Sequence, residues 1–252
     1  MDNKFESMLE ANKITHQILE ACKKLVLASD KSIATTEVSK YAQFGLSRLG
    51  VESAFKGIDN FPDIMCISIN DTIIHGLPDE DLKIKKGDIV SLDFGVKVDG
   101  YCADAAITFV NDRNKLAIFN KKHKLVNDTE QALHDSIKAL EKTFPNCKIS
   151  DITKAVDKYK ENYGIVEGYG GHGIGKSLHD KNIFIPNTVD NLRKDKELKI
   201  GDYFTIEPMF TLGTGDIIKA DDGFSIKTAD ESLSAHFEYS ITITEDGIKI
   251  LK

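Results

Sequence analysis

The amino-acid sequence predicts an α+β fold in which helices pack on mostly antiparallel sheet. Three observations carry that expectation. Apolar residues recur at helical spacing in the N-terminal segment, a two-residue hairpin signal stands at Asp99-Gly100, and strand-like runs resume after two further helices.

From Phe5 to Ala28, Met8, Ala11, Thr15, Ile18, Cys22, Leu25 and Val26 fall on one helical face. A second helix is expected from an N-cap at Thr35 or Thr36 to Gly50, just past its end. The period then changes, and Asp63 to His75 reads as a short β segment closing in a turn, His75-Gly76-Leu77-Pro78. Asp88 to Val98 and Tyr101 to Val110 are β-like runs separated by Asp99-Gly100, a strong tight-turn pair. A long helix is expected over Asn114 to Glu141, carrying Leu116, Phe119, Leu125 or Val126, Ala132 or Leu133, Ile137 and Leu140 on one side, with Pro145 marking its end. Ser150 reads as the N-cap of another helix, bearing Ile152, Val156 and Tyr159 and closed by Gly164. Strands follow at Glu167 to Ile174, Asp202 to Phe210 and Ser234 to Thr244. With no Pro-, Gly- or Ser-rich linker, residues 1–252 read as one domain.

Composition excludes several classes. The net charge is −7 and the signs are mixed along the chain, so no basic stripe for nucleic acid exists. Lys121, Lys122 and Lys124 read as a solvated helix face. No apolar run approaches the roughly 18 residues of a membrane span. Cys22, Cys66, Cys102 and Cys147 form no CxxC pair, which fits neither a disulfide framework nor a thiolate zinc site. The polar N-terminus carries no signal-peptide pattern, and a cytoplasmic protein is expected.

The chemistry starts at the hairpin. A two-residue turn at Asp99-Gly100 sets Val98 opposite Tyr101 and Gly95 opposite Asp104. Asp93 then shares a face with Asp104, diagonally across the ladder, roughly 7–8 Å away at the backbone. Two carboxylates on a face of Leu, Val and Ala repel and are costly to desolvate, and a divalent cation between them removes that cost. Alternatively the face is exposed and both are simply solvated. Further on, Gly170 to His179 places His172 and His179 around glycines, Glu207 precedes Pro208 at a strand end, and Glu238 sits in an apparent strand with Ile241 and Ile243. That run looks buried, where an unpaired Glu is rare.

Taken together, Asp93, Asp104, His172, His179, Glu207 and Glu238 resemble, in order and spacing, the site of the "pita-bread" metalloaminopeptidases, and the resemblance covers nearly the whole chain. Its most specific matches are Cys66 to Asn70 leading to His75-Gly76, Asp99 to Asp104, Gly171-His-Gly-Ile-Gly175, Thr205 to Met209 and Ser232 to Ala235, which resemble the type I methionine aminopeptidase family. The resemblance implies an antiparallel sheet with flanking helices in pseudo-two-fold halves. It implies removal of N-terminal methionine before a small second residue, in nascent proteins and peptides, by a dinuclear metal centre. Asp93, Asp104, His172, Glu207 and Glu238 would be the ligands, with Asp104 and Glu238 bridging. Four carboxylates and one imidazole suit two divalent ions, Mn, Fe(II), Co or Zn, without choosing among them.

By the same resemblance, the metals supply hydroxide near neutral pH and Glu207 shuttles its proton to the leaving amine. His179 hydrogen-bonds the developing oxyanion, and His75 contacts the scissile nitrogen. Phe61, Cys66, Leu178, Phe224 and His236 fall near the methionine pocket, with Ile58 at its rim. Leu178 stands where an aromatic is common and Phe224 where Trp is common. Asn70, Thr72 and Ser234 fall where relatives bind a monovalent cation. The family also implies a monomer, and ribosome association is a further expectation that no motif here identifies.

Competing classes are weaker. Aminopeptidase P and prolidase share the five ligands but usually carry an additional N-terminal domain, and only about 60 residues precede the motif region here. The 27 residues between His179 and Glu207 leave no room for a type II insert. Metal-free binding modules of this fold usually lack ligands. Asp93-Phe94-Gly95 lacks the other kinase motifs, and no P-loop or GxGxxG is present.

Overall fold

The computed structural model describes residues 4–112 and 120–252. Leu116, Phe119 and the start of the helix expected from Asn114 lie outside the described residues. Four helices, α1 (Lys4–Ala28), α2 (Thr35–Leu49), α3 (Lys121–Thr143) and α4 (Ile149–Asp157), accompany nineteen strands among the described residues, all paired antiparallel.

The helices form where apolar spacing gives them a face to bury. α1 buries Met8, Ala11, Ile18, Leu19, Cys22 and Val26 against the first sheets. Thr15 Oγ1 donates to Ala11 O (2.9 Å) and accepts from Val96 N (3.3 Å), tying the helix to the hairpin. In α2 the N-cap is Ala34, one residue before the expected threonines, and the Glu37 carboxylate accepts from Ala34 N at 3.1 Å. Gly50 follows α2 at φ 67°, the left-handed end that glycine tolerates. Asn120 caps α3, its side chain accepting from His123 N. Ser150 is not the cap of α4. That helix starts one residue earlier, with the Asp151 carboxylate accepting from the N-cap Lys148 N at 2.8 Å, while Ser150 N donates to Asp195. It also stops at Asp157, and Tyr159 belongs to a 3-10 turn, Lys158–Glu161. Lys122 and Lys124 are engaged, with Gly87 O and with Asp128 (2.5 Å), rather than forming a basic stripe.

Three segments expected as single strands are each divided. Met65–Ile69 (β3) and Thr72–Ile74 (β4) flank a turn at Asn70, φ 57°, and enter different sheets. Tyr203–Ile206 (β13) and Met209–Thr211 (β14) break at Glu207-Pro208, and Ser234–His236 (β17) and Tyr239–Thr244 (β18) break at Phe237-Glu238. Glu238 therefore lies between strands, not inside one. β13 and β18 pair in a five-stranded sheet, while β14 and β17 pair in a three-stranded one.

The N-terminal half repeats this plan. Ile89–Phe94 (β6) pairs with Ala105–Val110 (β9), and Val96–Val98 (β7) pairs with Tyr101–Cys102 (β8), in separate sheets. The register set by the Asp99-Gly100 turn persists across the break, from Val98↔Tyr101 to Phe94↔Ala105. Each half thus holds a strand pair that changes sheet midway, covered by a helix pair, α1 with α2 and α3 with α4. These are the pseudo-two-fold halves of the pita-bread fold. They meet at Ala106 and Glu238, whose backbones exchange hydrogen bonds of 3.1 and 3.0 Å. One apolar cluster runs through both halves.

Candidate metal centre

Four of the breaks between sheets each place a carboxylate in the space between the halves. Asp93 is the penultimate residue of β6, Asp104 precedes β9, Glu207 follows β13 and Glu238 precedes β18. Asp104 is fixed across the seam, since Ser240 Oγ donates to its carbonyl (2.8 Å) and its own N–H donates to Ser240 Oγ (3.3 Å). His172 comes from Gly170–Gly173 (β11), with its N–H on Thr205 Oγ1 at 3.1 Å. The structure brings the five expected ligands into one cluster. Donor atoms of Asp93, Asp104 and Glu238 lie within 4.8 Å of one another, as do those of His172, Glu207 and Glu238. A third group within that distance joins Asp104, His172 and His179.

The donor set calls for cations. Asp93, Asp104 and Glu238 are buried, and Asp93 Oδ1, Asp104 Oδ1 and Glu238 Oε1 have no hydrogen-bond partner among the described residues. Burial, then the neighbouring charges of Asp104 and Glu207, holds the Asp93 carboxyl well above its usual range. Burial followed by Asp104, Glu207 and Asp93 does the same to Glu238. Such uncompensated acid is costly in a protein interior, and divalent ions offset it. Gly173 O lies 3.0 Å from His172 Nδ1, and a carbonyl only accepts, so Nδ1 carries the hydrogen. Nε2 is left facing Asp104 (3.6 Å) and Glu238 (3.7 Å) as the ligand atom. Burial alone would lower the His172 pKa, but Asp104 and Glu207 outweigh it and push it up to about 9.

The other groups are tuned differently. Burial would raise Glu207, but His236, His172 and His75 outweigh it and keep the carboxylate ionised. His236 Nε2 stands 3.4 Å from Glu207 Oε2. Burial lowers His75 to about 4 and, with His172 beside it, lowers His179, so both imidazoles are neutral near pH 7. His179 packs edge-on against His172 at 4.5 Å between ring centroids. His75 sits at φ 57°, a left-handed backbone that non-glycine residues seldom hold outside functional sites.

A cavity of about 620 Å³ opens on this cluster. Phe61, Cys66, Leu178 and Phe224 line it, with Ile58 37% exposed at the rim. Phe61 and Phe224 meet edge-to-face at 5.5 Å. Cys66 is the cross-strand partner of Asp93, so the apolar wall is one strand from the carboxylates. The Cys66 thiol is pushed up by burial and by Asp93 and Asp104, which keeps it protonated. His236 does not line the cavity. It is buried behind Glu207, because the residues of β17 pair with Met209 and its neighbours rather than with the wall. Asn70, Thr72 and Ser234 converge through Ser234 Oγ, 2.8 Å from Asn70 O and 3.2 Å from Thr72 O. The Asn70 amide instead turns to Asp88 and Ile89 N.

Phe55, Ile74, Tyr169, Lys181, Phe184, Lys219 and Ile226 also line the cavity and escaped the sequence analysis. Ile74, Ile226 and Lys219 reach it through the pairing of β4 with Ile226–Thr228 (β16) and of β16 with Ile217–Lys219 (β15). No local pattern encodes that pairing. Tyr169 packs edge-on to His75 at 5.6 Å.

An oxygen-rich, metal-demanding cluster flanked by neutral imidazoles, at the seam of two pseudo-symmetric halves, defines a metal-dependent hydrolase of the pita-bread fold. The chain belongs to metallopeptidase family M24, which it matches over residues 6–245. It is 36% identical to the methionine aminopeptidase of Aquifex aeolicus over 98% of this chain and 95% of that one. The crystal structure of methionine aminopeptidase from Thermotoga maritima superposes with a TM-score of 0.88 at 30% identity, covering 100% and 97% of the two chains. Prolidase from Pyrococcus furiosus shares the fold at a TM-score of 0.74 and 20% identity, with 64% of its length covered.

Proposed function

We propose that this chain removes the N-terminal methionine from nascent proteins and peptides, with preference for a small second residue, using two divalent ions held by Asp93, Asp104, His172, Glu207 and Glu238. The observation that carries this function is an apolar recess beside the carboxylate cluster, in a chain alike over nearly its full length to methionine aminopeptidases. Four carboxylates balance two divalent cations in charge, and Mn, Fe(II), Co and Zn all suit the donors. Bound ions supply Lewis acidity, activating water and polarising the scissile carbonyl.

The chain's own groups do the rest. Glu207, kept ionised by its histidine neighbours, accepts the proton of the attacking water and delivers it to the leaving amine. His179, neutral, donates its N–H to the carbonyl oxygen as negative charge develops there. His75 contacts the scissile nitrogen. Phe61, Cys66, Leu178 and Phe224 hold the methionine side chain and exclude water from it, while His236 acts from behind Glu207. The proposal extends to one catalytic domain over residues 1–252, monomeric and cytoplasmic, with a monovalent cation near Asn70, Thr72 and Ser234 and with ribosome association left to the substrate's origin. No helix among the described residues is long and apolar enough to cross a membrane.

The test is methionine release from Met-Ala-Ser after EDTA treatment and after adding back each metal in turn. Loss with EDTA and recovery with at least one divalent ion is expected. A folded sample that releases no methionine with any of the four metals would overturn the proposal.

A further inference from the structure

Beyond its acidic interior the cavity is lined by two lysines, Lys219 and Lys181, and by Asp59 and Asp180. Lys219 ends β15, where it pairs with Ile226, which in turn pairs with Ile74. Residues paired in this way share one face of a sheet, so Lys219 extends a row whose other two members line the cavity wall. It stands close enough to His75 for its charge to act on that imidazole. Lys181 enters the lining from Asp180–Pro186 (β12), near Phe184, which pairs with His172 across the ladder and is 49% exposed. Both lysines are exposed, and neither has an ion-pair or hydrogen-bond partner among the described residues.

The nearby carboxylates are held in place by backbone donors or lie to one side, and Asp222 also feels the Lys219 charge. Asp180 Oδ1 accepts from Asn182 N at 3.0 Å. Asp222 accepts from Phe224 N and Ser225 N, each at 2.8 Å, and from Ser225 Oγ. Asp59 lies on the His179 side, where its charge is felt by that imidazole. Neither ammonium group is held by a hydrogen bond among the described residues, so each can turn to a ligand.

If methionine occupies the apolar recess and His75 meets the scissile nitrogen, the leaving peptide runs out past His75. Each extended residue advances about 3.3 Å, so the third residue's side chain reaches the mouth. We infer that Lys219, assisted by Lys181, selects substrates with an acidic residue at the third position. This rests on the function proposed above and adds a specificity it does not contain. An exposed ion pair changes affinity about three-fold, and repulsion works as much in the other direction. An acidic third residue is therefore preferred over a basic one about ten-fold in kcat/KM.

The experiment uses the metal-reconstituted full chain and three amidated peptides, Met-Ala-Glu-Ser-amide, Met-Ala-Gln-Ser-amide and Met-Ala-Lys-Ser-amide, which carry no terminal carboxylate. The expected order is Glu, then Gln, then Lys. The spread should shrink as salt rises from about 0.02 to about 0.5 M, where screening shortens to a few ångströms. Lys219→Glu should reverse the order, and Lys219→Gln, a milder change, should abolish most of the spread. Equal rates on all three peptides, or an order unchanged in both variants, overturns the inference alone. No cleavage even of the Gln peptide by a folded, metal-loaded sample overturns the underlying function and this inference with it.

Discussion

Replacing Gly171 by alanine should cripple the metal centre without touching a ligand. A Cβ at Gly171 would stand 2.2 Å from Thr205 O and 3.0 Å from Thr205 C, both backbone atoms that no rotamer can move. Ordinary contact begins near 3.4 Å, so β11 and β13 must separate by the difference, 3.4 − 2.2 = 1.2 Å. His172 is the next residue and its N–H bonds to Thr205 Oγ1, so the imidazole moves with the strand. Overpacking of this kind costs about 1–3 kcal/mol. At about 2–4 °C per kcal/mol for a chain of this size, Tm falls by about 2–12 °C. A displacement near 1 Å in a catalytic constellation costs on the order of 100-fold in turnover. Gly175 belongs to the same motif, but a Cβ there meets nothing within 4 Å, and Gly175→Ala should stay within about 0.5 kcal/mol of the parent. Differential scanning fluorimetry and metal-supplemented methionine release read both effects. Parent-like Tm and turnover in Gly171→Ala, or equal damage in the two variants, would refute the packing argument.

Three other perturbations separate the roles of the site. His179→Ala should lower turnover about 100-fold while bound metal, measured by elemental analysis, stays near that of the parent; loss of both together would make His179 a ligand instead. Asp93 and Glu238 have raised pKa values, so the folded metal-free chain holds protons the unfolded chain releases. Their stabilisation is complete below the ordinary carboxylate values and is lost as pH rises through the raised ones. His172, pushed up to about 9, carries the same trend to that pH. The Tm of EDTA-treated protein should therefore fall relative to the Mn-loaded form between about pH 5 and about pH 9, and a gap that narrows over this window would contradict the assignment. Phe224→Ala removes the ring facing Phe61 and should raise KM for methionine peptides about ten-fold with little change in kcat; a fall in kcat alone would place Phe224 outside the pocket.

Much of this was legible where the signal is local. The Asp99-Gly100 turn fixed a register that carries Asp93 and Asp104 onto one face, and the structure keeps it across a change of sheet. Spacing in α1 and Gly50 after α2 gave those boundaries within a residue or two. Pro208 marked the strand end at Glu207, but the sheet breaks at Asn70 and Glu238 were not legible, because apolar β residues continue on both sides of each. What interrupts them is the competition of two sheets for one strand, a tertiary effect. The N-cap of α4 was misplaced because Asp151 reaches back to Lys148, and an acidic third residue can cap as a serine does. At the site, the buried carboxylates stood out because unpaired charge is rare in apolar runs. The position of His236 behind Glu207 was not foreseen, and Lys219 was missed, because each depends on strand pairing between distant segments.

The most direct measurement is a head-to-head assay of one metal-reconstituted preparation on Met-Ala-Ser-amide and Ala-Pro-Ala-amide. Release of methionine from the first, with the second left intact, is the expected result. Cleavage of the proline peptide alone would contradict the apolar recess as a methionine pocket and move the chain's activity to the aminopeptidase P branch of the shared fold.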